Sequence, residues 1–272
     1  MPAREVTVGG VGLHTGMVVA VTLIPRAGAV RLASGGLRDA ITDLTVTGTL
    51  RSTTVEGHGG ALRVSTVEHL FSALAGLDIR EGLVLRVDGP ELPLLDGGAS
   101  AWCDALRQLD LPPGSPRPPR LWVRRHTVID IGSSRYEFAP ADGVEVEVRI
   151  DFGDSRLVES ARWGGDADDF RERIAPARTF ARACDLEPLA ALGLARHVDP
   201  ASVVVIAQDA IHAVGAPFSP DEPARHKLLD LMGDLYLWGG PPRGRVRATR
   251  PGHTANARAM RRALDEGAVV AR

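Results

Sequence analysis

The chain has 272 residues, 44% of them hydrophobic, and 32 basic residues nearly balance 34 acidic ones for a formal net charge of −2. This composition supports a folded core and excludes a disordered chain, and it gives no electrostatic reason to expect nucleic acid or an anionic membrane as a partner. The only cysteines, Cys103 and Cys184, exclude a disulfide framework and a cysteine-rich zinc site. Without a signal-peptide pattern or a run of roughly 20 apolar residues, we expect a cytoplasmic protein.

The first part of the chain predicts short strands separated by turns, together with two helices. Runs rich in β-branched residues at 6–8 and 17–24 are bounded by glycine and proline, which is typical of strands. Apolar residues recur at helical spacing over 65–77, and a second helical pattern covers 99–109. Between them, residues 83–87 predict a strand.

A proline-rich segment at 113–120 predicts a linker, because four of its eight residues are proline and cannot continue a helix or a central strand. We therefore predict an N-terminal domain at 1–112 and a C-terminal domain at 121–272. The second half predicts strands at 121–131, 135–139, 144–152, 202–207 and 245–249, and helices at 167–174, 185–192, 223–237 and 252–264. This mixture indicates the α+β class, with a helix-covered sheet in each half.

The helix at 223–237 carries a polar stripe. His226, Asp230 and Asp234 are four residues apart and fall on one face, and Gly233 lies on the same side. A solvated helix face is the simplest interpretation, but such faces mostly use better helix formers than aspartate and histidine. A His-x-x-x-Asp pair offers one nitrogen and one oxygen ligand, which suits zinc.

Two further histidines are candidates, each with a structural alternative. His69 would be a third metal ligand, with its neighbour Glu68 as the base for a zinc-bound water. Glu68 equally matches the last position of a capping box that begins at Ser65, and His69 then packs in the first helical turn. His253 follows Gly252 at a predicted helix start, where it would reach a substrate or would be a loop residue without a role.

One lysine, Lys227, stands in a chain that otherwise uses arginine. It is retained either by chance or because its compact ammonium does something that arginine cannot.

These motifs together resemble the UDP-3-O-acyl-N-acetylglucosamine deacetylases, zinc hydrolases of lipid A biosynthesis. Two elements carry most of the resemblance, Thr66-Val67-Glu68-His69 and His226-Lys227-x-x-Asp230. The matching stretches follow the family order along nearly the whole chain, at residues 10–16, 65–70, 91–97, 177–180, 225–230, 233–236 and 252–253. The resemblance implies two domains of similar topology that pack face to face around the active site.

The resemblance also implies a metal centre and a base. His69, His226 and Asp230 would hold Zn²⁺, and Glu68 would act as general base. The expected reaction is hydrolysis of the 2-acetamido group of UDP-3-O-acyl-N-acetylglucosamine to acetate and the free amine.

The remaining site residues also follow from the family match. His253 would be the partner acid or oxyanion stabiliser, Asp234 would hold it, and Thr179 would help to stabilise the oxyanion. Phe180 and Lys227 would contact the substrate, Lys227 as a point charge for a phosphate or sugar oxygen.

Two other functions remain open from the sequence. The chain would be a zinc amidohydrolase for a related acylated sugar, or a non-catalytic binding protein that kept the fold. In either enzymatic case we expect a small-molecule partner, no nucleic acid, no transmembrane segment and a monomer.

Overall fold

The computed structural model describes residues 4–111, 120–195 and 197–271. Within these ranges the helices are α1 (Glu68–Gly76), α2 (Ser100–Leu106), α3 (Ala167–Asp169), α4 (Ala183–Ala191), α5 (Glu222–Tyr236) and α6 (His253–Asp265). The strands of the first half are β1 (Val6–Val11), β2 (Val18–Ala29), β3 (Arg31–Ser34), β4 (Leu37–Ala40), β5 (Thr45–Gly48), β6 (Thr54–Gly57), β7 (Leu62–Val64) and β8 (Glu81–Asp88). The strands of the second half are β9 (Leu121–Val123), β10 (Thr127–Ile131), β11 (Ser134–Ala139), β12 (Val144–Arg149), β13 (Ser160–Trp163), β14 (Thr179–Arg182), β15 (Val203–Ile206), β16 (Ile211–His212), β17 (Gly244–Thr249) and β18 (Val269–Ala271).

The two halves repeat one topology. The first five-stranded sheet has the order β1-β2-β8-β3-β4, and the second has the order β10-β11-β17-β12-β13. In both sheets all neighbours are antiparallel except one pair, β3 with β8 and β12 with β17. In each half, two helices flank the sheet strand that comes last along the chain. Helices α1 and α2 precede and follow β8, and helices α5 and α6 precede and follow β17. The α+β prediction with two similar halves is confirmed.

The equivalent helices α1 and α5 pack against each other and join the halves. The rings of Phe71 and Tyr236 are 5.7 Å apart between centroids, and both side chains are buried. Gly233 of α5 lies so close to α1 that a methyl group built on it would stand 2.0 Å from the carbonyl oxygen of Glu68. One continuous apolar cluster extends from the first sheet through these helices to the second sheet.

The division into domains at 1–112 and 121–272 stays a prediction, and the linker assigned to 113–120 lies outside the described residues except for Arg120. Every helix in the described ranges is too short or too polar to cross a lipid bilayer.

Several local predictions were wrong. The predicted strand 121–131 is two strands, β9 and β10, of which β9 pairs with β18 and β10 with β11. Helix α1 begins at Glu68 after Val67, so Ser65 is no N-cap and the capping box does not exist. The predicted helix 252–264 begins one residue later, at His253, after the extended residue Gly252.

Candidate active site

Three predicted metal ligands meet where α1 and α5 touch. One donor atom from each of His69, His226 and Asp230 lies within 4.8 Å of the other two. His69 is the second residue of α1, whereas His226 and Asp230 are one turn apart on α5. All three side chains are buried, at 2–4% exposure, so the interpretation of the α5 stripe as a solvated face is wrong.

Neighbouring groups orient these donors toward a common point. The Nδ1–H of His226 donates to the carbonyl oxygen of Ala177 at 3.0 Å, which leaves Nε2 facing Asp230. Lys227 donates to Oδ2 of Asp230 at 2.7 Å. Oδ1 of Asp230 then faces Nε2 of His226 at 3.4 Å and Nε2 of His69 at 3.9 Å, distances longer than the roughly 2.7–3.2 Å of an N–H···O hydrogen bond.

The protonation states of the three donors fit a divalent cation. Burial lowers the pKa of His69 to about 3 and also lowers the pKa of His226, so both imidazoles are neutral and offer a lone pair. Burial alone would raise the pKa of Asp230, but the charges of Lys227 and of the protonated His253 hold it well below its usual range. Two neutral imidazoles and one carboxylate form a donor set typical of catalytic zinc.

Glu68 lies next to this cluster as the first residue of α1. Its carboxylate is 3% exposed and accepts a hydrogen bond from the backbone N–H of Thr53 at 3.0 Å. Burial raises the pKa of Glu68 to about 7, and the nearby Asp230 and Asp234 add to that effect. A carboxyl group with this pKa gains and loses a proton near neutral pH, which suits a general base.

His253 forms an ion pair with Asp234. The Nδ1–H of His253 donates to Oδ2 of Asp234 at 2.9 Å, and the amide of Asn256 donates to the same oxygen at 2.6 Å. Burial by itself would lower the pKa of His253, but the charge and hydrogen bond of Asp234 outweigh it and raise the pKa to about 9. His253 is therefore a cation near pH 7, and Asp234 fixes its orientation.

The residues predicted to act on the oxyanion or to contact the substrate lie on β14 and on α5, namely Thr179, Phe180 and Lys227. Thr179 is held at the start of β14, where its backbone N–H donates to the carbonyl oxygen of Gly97 at 2.7 Å. The Phe180 ring lies 6.1 Å from the His226 ring, and Nζ of Lys227 lies 5.6 Å above the Phe180 ring. Lys227 thus contacts both Asp230, a predicted metal ligand, and Phe180, which is predicted to contact the substrate.

A cleft of about 340 Å³ brings these groups together. It is lined by eight of the nine predicted site residues, namely Glu68, His69, Thr179, Phe180, His226, Lys227, Asp230 and His253. The ninth, Asp234, stands behind His253. Residue-by-residue reasoning missed Thr53 and Asn256, which bind the Asp234 carboxylate from behind the cleft and carry no sequence pattern that predicts this contact.

Comparison with known proteins identifies the family of this chain. The family model described as UDP-3-O-acyl N-acetylglycosamine deacetylase matches residues 3–265. A relative from Anaeromyxobacter dehalogenans named UDP-3-O-acyl-N-acetylglucosamine deacetylase is 34% identical, with 98% of this chain and 87% of the relative covered. Relatives with the same name from Brucella melitensis and Brucella ovis are 32% identical, with 97% of this chain and 94% of the relative covered in each case. The chain therefore belongs to the UDP-3-O-acyl N-acetylglycosamine deacetylase family.

Proposed function

We propose that this protein is a zinc-dependent deacetylase of lipid A biosynthesis. It hydrolyses the 2-acetamido group of UDP-3-O-acyl-N-acetylglucosamine to acetate and the free amine, in the cytoplasm, where nucleotide sugars are used. The observation that carries the proposal is the buried meeting of His69, His226 and Asp230 in one cleft with Glu68 and His253. Family membership and the names of the relatives support the substrate.

The metal would be held by His69, His226 and Asp230. Bound there, zinc supplies Lewis acidity that lowers the pKa of a water molecule to about 7. Lys227 binds Oδ2 of Asp230 and would leave Oδ1 free for the ion, and the carbonyl oxygen of Ala177 fixes the His226 tautomer. Both contacts would orient these donors toward the ion.

Glu68 takes the proton of the attacking water. Its carboxylate faces the cleft beside His69, and the N–H of Thr53 keeps one oxygen, Oε2, in place. Its pKa near 7 lets it accept this proton and release it again at neutral pH. Attack on the acetamide carbonyl then places negative charge on the carbonyl oxygen.

Two groups act on that charge and on the leaving nitrogen. The hydroxyl of Thr179 lines the cleft as a donor for the oxyanion. His253 is protonated near pH 7 and its Nδ1 is engaged by Asp234, so Nε2 is the ring nitrogen that gives a proton to the leaving amine or stabilises the oxyanion. An amine leaves poorly as an anion, so this proton is required.

The substrate would extend along the side of the cleft that Phe180 and Lys227 line. The ammonium of Lys227 offers a point charge to a phosphate or sugar oxygen. Beside Phe180 lies a small apolar cluster, separate from the main core and formed by Leu157, Val204, Ile206, Ile211, Ala213 and Phe218. This cluster supports a path for the 3-O-acyl chain next to β14 and β15.

Turnover of two nucleotide sugars tests the proposal. The purified zinc-loaded protein is assayed for free amine with UDP-3-O-acyl-N-acetylglucosamine and with unacylated UDP-N-acetylglucosamine, and Glu68→Gln serves as the control for contaminating activity. We expect a strong preference for the acylated sugar. Equal rates on the two sugars would contradict the lipid A assignment and favour an amidohydrolase with another substrate. Zinc-loaded protein without turnover on either sugar would favour a non-catalytic binding role.

A further inference from the structure

We propose that Thr53 is a positioning residue that couples the general base to the histidine–aspartate pair, an inference that rests on the proposed function. Thr53 precedes β6, is 1% exposed, and belongs to none of the helices that carry site residues, α1, α5 and α6. It contacts Glu68, Asp234 and His253 simultaneously. No motif of the sequence singles it out.

The contacts of Thr53 use both its backbone and its side chain. Its N–H donates to Oε2 of Glu68 at 3.0 Å, and its hydroxyl donates to Oδ1 of Asp234 at 2.6 Å. The same hydroxyl oxygen lies 3.2 Å from Nδ1 of His253. The side-chain hydroxyl therefore stands between the two members of the ion pair, while the backbone holds the base.

Counting protons fixes the direction of each bond. A threonine hydroxyl has one proton, and that proton points to the Asp234 carboxylate, so the oxygen is only an acceptor toward His253. The Nδ1–H of His253 is then shared between Asp234 and Thr53. This arrangement keeps a proton on Nδ1 and directs Nε2 to the substrate.

The two oxygens of Asp234 have different partners. Oδ2 accepts hydrogen bonds from His253 and Asn256, whereas Oδ1 accepts one from the Thr53 hydroxyl. Loss of that hydroxyl leaves a buried carboxylate oxygen without its donor and lets the carboxylate turn. Because His253 is bonded to this carboxylate, its ring turns as well, and we expect slower proton transfer with unchanged substrate binding.

The test compares Thr53→Val with Thr53→Ser and Thr54→Val in the zinc-loaded protein. Valine keeps the shape and removes the hydroxyl, serine keeps the hydroxyl, and Thr54 is a matched control because its own hydroxyl donates to Ser65 instead. We expect Thr53→Val to lower kcat by about 10- to 100-fold, as for a lost hydrogen bond to a charged group, with KM unchanged. Thr53→Ser and Thr54→Val keep a kcat close to that of the parent protein. If Thr53→Val does not fold, Thr53→Ala removes the same hydroxyl without adding volume.

A spectroscopic measurement separates this inference from the proposed function. In protein with ¹⁵N-labelled histidine, we expect the Nδ1–H resonance of His253 to shift in Thr53→Val and to stay in place in Thr54→Val. An unchanged resonance, or a kcat for Thr53→Val equal to that of Thr54→Val, overturns the positioning role. Absence of turnover in the parent protein would instead refute the deacetylase assignment, and the resonance would still decide the role of Thr53.

Discussion

Gly233 controls how closely the two halves of the site approach, so Gly233→Ala is a direct test of the architecture. The added methyl group would lie 2.0 Å from the carbonyl oxygen of Glu68, and 2.8 and 2.9 Å from its C and Cα atoms. All three are backbone atoms, so no side-chain rotation relieves the overlap. Helix α5 must move away from α1.

The size of that movement follows from the contact distance. Ordinary contact for a methyl carbon begins near 3.4 Å, so the helices must separate by about 1.4 Å at this point. Overpacking of this kind costs about 1–3 kcal/mol, partly offset by the roughly 1 kcal/mol that alanine gains over glycine within a helix. His69 on α1 moves relative to His226 on α5, and a displacement of about 1 Å costs on the order of 100-fold in rate.

Three measurements on Gly233→Ala check this reasoning: the free energy of unfolding in urea, zinc affinity by chelator competition, and kcat/KM. Gly143→Ala is the control, because nothing lies within 4 Å of a methyl group built there. We expect Gly233→Ala to be less stable, to bind zinc more weakly and to lose most activity. A variant that gains about 1 kcal/mol from helix propensity alone and keeps its zinc affinity would refute the close approach of α1 and α5.

The other predictions concern individual groups of the cleft. Glu68→Ala should abolish turnover and retain zinc, whereas His226→Ala should lose zinc; metal analysis beside the rate distinguishes them, and an active Glu68→Ala would exclude Glu68 as the base. The rate should rise with pH as Glu68 loses its proton; this rise should come at or below the metal-free pKa of about 7, because a bound cation favours the carboxylate. The rate should fall again as His253 loses its proton near its pKa of about 9. A pH–rate profile that is flat from pH 6 to pH 10 would contradict both roles. Lys227→Arg should raise KM although it keeps the charge, because a planar guanidinium cannot reproduce the compact point charge that Lys227 offers to a phosphate or sugar oxygen; an unchanged KM would remove the need for lysine.

Periodicity predicted the α5 stripe but not its surroundings. The spacing of His226, Asp230 and Asp234 places them on one helix face in any environment. Whether that face meets water or another helix depends on α1, more than 140 positions away in the sequence. Composition favoured a functional stripe because aspartate and histidine are poor helix formers. His69 was a candidate ligand from the residues alone, and the resemblance to a family favoured that role over the structural alternative.

Local rules failed where tertiary contacts determine the backbone. The pattern Ser65-x-x-Glu68 predicts a helix cap, yet Glu68 is the first residue of the helix. Its carboxylate accepts a hydrogen bond from the backbone N–H of Thr53, and not from that of Ser65 as in a capping box. Thr53 itself has no periodicity or motif, and its role depends on three groups that the sequence does not place near it. Residues that act only through such distant contacts are the ones that a single sequence cannot predict.

The repeated topology explains why the site lies where it does. Each half contributes the helix that precedes the last strand of its sheet, and these two equivalent helices, α1 and α5, meet at Gly233. In the proposed function the base and one metal ligand come from α1, and two ligands and Asp234 come from α5, so neither half would hold a complete set. The repeat lies in the strand order of the two sheets, whereas the polar residues of the two equivalent helices differ. Helix α1 carries the Glu68-His69 pair and helix α5 the His226-x-x-x-Asp230 pair, and the proposed catalytic centre requires the contact between the two helices.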